Sequence, residues 1–160
     1  MTEDHLVKVG IALTSFVCGA LLSRFTMSKK ERFDVNAKKQ ETSNVLESEV
    51  TAAYQLYIDA IAKFTNSTKT TFDDFIEIEK AGAVYFQTLN SLACSVLSSN
   101  TEKESVKNSH VQKIKDGYVK VIPQHYQTLQ LIASRCDIPY KGKFKAENYQ
   151  SMSKVVEKYA

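Results

Sequence analysis

Tryptophan is missing from this 160-residue chain, proline occurs twice and glycine five times. So few turn formers leave little room for the many short, turn-bounded strands of a sandwich or barrel, and no alternating apolar/polar runs are present either. Cysteine is scarce and odd in number: Cys18, Cys94 and Cys136, with no CxxC or Cys/His spacing, which argues against a zinc knuckle, a thioredoxin-like site or a disulfide framework. The carboxylates supply no ExxH on any expected helix, and GxSxG, P-loop and GxGxxG patterns are all missing. No catalytic residue, metal ligand, cofactor or small-molecule substrate is therefore expected, and the chain does not read as an enzyme. Of the three histidines, only His125 falls on an apolar helix stripe, where a hydrogen-bonded core role is the ordinary use.

Excess charge is also confined. The net charge is +3, but residues 40–160 carry fourteen groups of each sign, while residues 24–39 hold six basic and two acidic side chains. A nucleic-acid-binding domain needs its basic face on the folded body, so that function is not expected.

What the chain does have is an uncharged run, Val9 to Ser23, between Lys8 and Arg24. Extended to Leu6–Phe25, with the two basic side chains reaching the headgroups, it is a twenty-residue helix of about 30 Å, enough for one bilayer crossing. Arg24, Lys29, Lys30, Arg32, Lys38 and Lys39 follow it, against Lys8 alone before it, which places the amino terminus outside and the body in the cytoplasm. Lys8, Arg24, Lys29, Lys30 and Arg32 are the expected membrane-interface residues. The resulting plan is a tail (1–5), a transmembrane anchor (6–25), a polar stem (26–44) and a bundle domain (45–160).

Beyond the anchor, apolar residues recur at three and four, the mark of amphipathic helices. The first helix continues from the anchor or restarts near Thr42–Ser43, and its stripe is Leu46, Val50, Ala53, Tyr57, Ile61 and Phe64, widened by Tyr54, Leu56 and Ile58. A second helix opens at Thr70 or Thr71 and carries a heptad seam, Phe75, Ile78, Gly82, Tyr85, Leu89, Leu92 and Val96. Phe72, Ile76, Ala83, Phe86 and Ala93 should broaden its buried arc, and Gly82 implies close approach of a neighbouring backbone. The third helix starts at Thr101 or Ser105, with Thr101 to Glu104 matching a capping box. It follows Val111, Ile114, Tyr118, Val121 or Ile122, His125, Leu129, Ile132 and Cys136, with Pro123 forcing a kink or break. After the loop 137–142, a short helix over about 145–159 presents Tyr149, Met152, Val156 and Tyr159.

The expectation is an all-α protein: a single transmembrane helix followed by an antiparallel three- to four-helix bundle. Its helical spacing would hold Cys94 and Cys136 roughly 40 Å apart, beyond disulfide reach. At the end of the bundle formed by the turns 65–71 and 137–144, Asp73, Asp74 and Glu77 face Lys141 and Lys143, a candidate interaction surface. Functionally, the sequence points to a tethered scaffold, regulator or assembly factor that meets the lipid bilayer and a protein partner or its own copies. The rivals are a secreted or periplasmic bundle with a cleaved leader and a membrane-active, pore-forming chain.

Overall fold

The computed structural model describes the backbone of residues 3–159 and the side chains of residues 21–22 and 28–159. It is all-α, with no strand among the described residues. Two compact units divide it, Met1–Lys38 and Lys39–Ala160. In the first unit the described backbone, residues 3–38, is helical, and the described side chains, Lys29, Lys30 and Arg32 among them, are solvent-exposed. Lys8, Arg24 and all of Leu6–Phe25 except Leu21 and Leu22 lie outside the described side chains. Among the described residues no helix is long and apolar enough to cross a membrane.

Helix α1 runs without interruption over Glu3–Asn66, so the polar stretch 34–44 is helical rather than a restart. From Ser43 onward its seam is buried: Val50, Ala53, Tyr57 and Ala60 are each 5% exposed or less. Tyr54, Leu56 and Ile58 do not widen that face. Each step along a helix turns about 100°, so the neighbours of Tyr57 at 56 and 58 point to opposite flanks, and all three side chains are exposed.

Helix α2, Phe72–Leu97, begins at a full capping box. The Thr71 hydroxyl accepts from Asp74 N at 3.3 Å, and the Asp74 carboxylate accepts from the Thr71 backbone N–H at 2.7 Å and from its hydroxyl at 2.8 Å. Two orphan donors of the helix start are thereby satisfied. Thr71→Ala is expected to cost about 1 kcal/mol of bundle stability in urea denaturation, the usual value of a lost N-cap.

The third rod is built of α3 (Lys103–Ser105), a π segment Val106–His110, α4 (Val111–Asp116), a second π segment Gly117–Val121, and α5 (Ile122–Arg135). Its cap is Glu102, not Thr101: the Glu102 carboxylate accepts from the N–H groups of Glu104 and Ser105, while Thr101 is buried one residue earlier. Nor does Pro123 break the rod. The π turn before it widens the winding, with Ile122 N–H bonding Gly117 O, and Pro123 sits in the first turn of α5, where a missing N–H costs little. The wide turn also settles the face, placing Gly117 and Ile122 in the core and leaving Tyr118 and Val121 half-buried.

The chain closes with a 3₁₀ turn, Ala146–Tyr149, and α6, Gln150–Lys158, whose buried residues are Met152 and Val155 rather than Val156 and Tyr159. Contacting pairs fix the topology of this second unit. Across α1 and α2 they run in opposite order, Lys63 with Glu77 and Tyr57 with Tyr85. Across α2 and the third rod they do so again, Gly82 with His125 and Leu89 with Gly117. Helix α6 returns along the third rod, Tyr149 by Tyr126 and Met152 by Gly117. The result is an up-down-up-down four-helix bundle, closed around Ile78, Leu89, Leu92, Ile114, Ile122, Leu129, Ile132 and Met152, each fully buried.

Candidate functional site

Gly82 and His125 set the geometry of the bundle's middle. A Cβ on Gly82 would lie 2.3 Å from His125 Cε1, so the glycine exists to admit an imidazole ring, not a neighbouring backbone. The ring is 4% exposed. Phe86 stands edge-on at 4.9 Å, with Tyr126 at 5.5 Å and Tyr57 at 5.6 Å between centroids. Its Nδ1 has no hydrogen-bond partner, and burial pulls its pKa down to about 4, so the ring is neutral at pH 7.

Outward from His125 opens a cleft of about 330 Å³. Phe86, Tyr126, Tyr140 and Tyr149 wall it, and Glu79 is its one carboxylate. The Tyr126 and Tyr149 hydroxyls meet at 3.1 Å. Burial raises the pKa of Tyr149, and burial together with the Glu79 charge raises that of Tyr140. Tyr140 is brought in by the 137–145 loop, where Gln130 Nε2 donates to Gly142 O at 2.9 Å and Gly142 leaves room for the tyrosine ring.

A second polar cluster clasps α1 to the third rod. Glu47 Oε1 takes Lys113 Nζ at 2.6 Å and the Ser109 hydroxyl at 3.2 Å, and its Oε2 lies 3.9 Å from His110 Nε2. The Lys113 hydrogen bond holds Glu47 below the usual carboxylate range. His110 is fully buried, and neither ring nitrogen has a hydrogen-bond partner. Burial lowers its pKa although the nearby Glu47 charge acts the other way. Beside it, the buried Ser43 hydroxyl accepts from Glu102 N at 2.8 Å. Sequence reasoning missed this clasp. The signal was present in the spacing of Val106, His110, Ile114 and Gly117, which puts the histidine on the buried face.

No family model, curated protein or solved structure matches the chain. The residues themselves carry the reading. Asp74 is spent on the α2 cap, and Glu77 pairs with Lys63, which the carboxylate holds above its ordinary pKa. Among the described residues no ion pair joins Asp73, Asp74 or Glu77 to Lys141 or Lys143, both of which are exposed. Cys94 donates to the Ser151 hydroxyl at 3.2 Å, and Cys94 and Cys136 are both free thiols. Among the described residues no group of His, Cys, Asp and Glu is placed to hold a metal.

Proposed function

We propose that this protein is a membrane-tethered helical bundle that works by docking a second polypeptide along α2, with Leu6–Phe25 as the single-pass tether and the bundle on the cytoplasmic side. One observation carries the docking: the bundle closes its own seams, yet α2 keeps a ridge of apolar side chains outside them. Phe72 is 55% exposed and Ile76 42%, with Ala83 exposed on the same side, all residues that the heptad pattern would have assigned to the buried arc. Positions 72, 76 and 83 recur at four and seven, which is the spacing by which one helix reads another. The uncharged run and the basic collar of Arg24, Lys29, Lys30 and Arg32 support the tether.

Two measurements test the two halves. Carbonate-washed membranes should retain the full-length chain; recovery in the supernatant removes the tether. A photocrosslinker placed at residue 76 should give one discrete adduct, lost on Phe72→Asp, while the same probe at exposed Lys154 gives none. Equal labelling from both positions removes the docking ridge.

A further inference from the structure

The cleft beside His125 has a chemistry that docking along α2 does not use. Four of its lining side chains are aromatic, and the faces of aromatic rings attract cations. Lysine and arginine are missing from its lining, and Glu79 supplies the only charge. Anions are disfavoured by that carboxylate. A neutral apolar ligand would leave Glu79 and the Tyr126–Tyr149 hydroxyl pair without a counterpart. The volume, about 330 Å³, lies at the small end of ligand sites, the size of a compact amine rather than a peptide.

We propose that this cleft binds a small quaternary or methylated ammonium group, held over the rings of Phe86, Tyr126, Tyr140 and Tyr149 and facing the Glu79 carboxylate. The methyl groups fill the aromatic walls, and the charge is shared between π faces and carboxylate. Tyr140 forms the outer wall: Gly142 leaves room for its ring, and the loop that carries it is tied to α5 by Gln130 Nε2 on Gly142 O and by the Ile138 N–H on Ala133 O. The proposal rests on the bundle unit alone and not on the tether; the cleft shares Ala83 with the docking ridge, and its ligand is held by the aromatic walls and Glu79.

The test titrates the full-length chain, solubilised in a maltoside detergent, with choline chloride, reading ¹³C-labelled ring signals of its eight tyrosines. Saturable shifts confined to Tyr126, Tyr140 and Tyr149 are expected. Glu79→Gln should weaken binding about tenfold, as loss of a half-buried counter-charge does. Gly142→Ala, whose new Cβ would displace the Tyr140 ring, should weaken it in a chain that still unfolds cooperatively. The uncharged isostere 3,3-dimethyl-1-butanol separates charge from shape, and equal shifts from it overturn the proposal. Vesicles of phosphatidylcholine, compared with phosphatidylglycerol, distinguish a lipid headgroup from a free amine as the source. Response to either choline source supports the site, and response to neither overturns it.

Discussion

Gly82→Ala is expected to destabilise the bundle by roughly 2 kcal/mol, although alanine is the better helix former. The propensity gain is about 1 kcal/mol, and overpacking a core costs about 3 kcal/mol when the neighbour must leave its packed position. Here the neighbour is the His125 ring, at 2.3 Å from the new methyl position, and with Phe86, Tyr57 and Tyr126 against it the ring can give way only toward the cleft, at the loss of those contacts. Urea denaturation of the single variant and of Gly82→Ala with His125→Ala separates the terms. The double variant should lose less than the sum of the two singles, because deleting the ring makes room for the methyl. A single variant as stable as the parent would mean that the ring does not lie against the glycine.

Acid should unfold this bundle through its histidines before its carboxylates. His125 has a folded-state pKa of about 4 against an ordinary 6.5, so below pH 6.5 the unfolded chain binds the proton that the folded chain refuses. Stability therefore falls as pH drops through that window, by about 3 kcal/mol at pH 4. His110 shifts in the same direction and adds to the slope. Glu47, depressed by Lys113, contributes stability above the carboxylate range that is lost only below it, and its partial exposure keeps the amount small. Urea midpoints at pH 7 and pH 4.5 should converge in the His110→Leu, His125→Leu double variant, which replaces both rings with apolar side chains of similar bulk. An unchanged pH dependence in that variant would assign the acid sensitivity elsewhere.

Periodicity carried most of the bundle. The α2 seam, the α2 cap and the chain reversal at 65–71 were all legible, because capping chemistry and 3.6-residue spacing are local. What escaped depended on the partner across the seam. Phe72 and Ile76 match an apolar arc as well as Phe86 and Ala93 do, and only the positions of α5 and α6 decide which pair is covered. Thr101 and Glu102 are both credible caps, and the choice follows from Ser43, fifty-nine residues away, bonding the Glu102 N–H. Of the aromatic cleft, His125 and Gly82 stood out singly, but four walls drawn from α2, α5, the 137–145 loop and the 3₁₀ turn leave no contiguous motif.

The π turn at 117–121 has a consequence for any comparison of this chain with others. A wide turn is, in sequence terms, a one-residue insertion that the helix absorbs without a loop. Deleting one residue there would restore even winding and leave the helix beyond it in phase, because five residues of a wide turn sweep about the angle that four α-helical residues do. A deletion elsewhere in the rod, with no wide turn to absorb it, would instead swing everything downstream by about 100°, carrying the imidazole off the glycine notch and Leu129 out of the core.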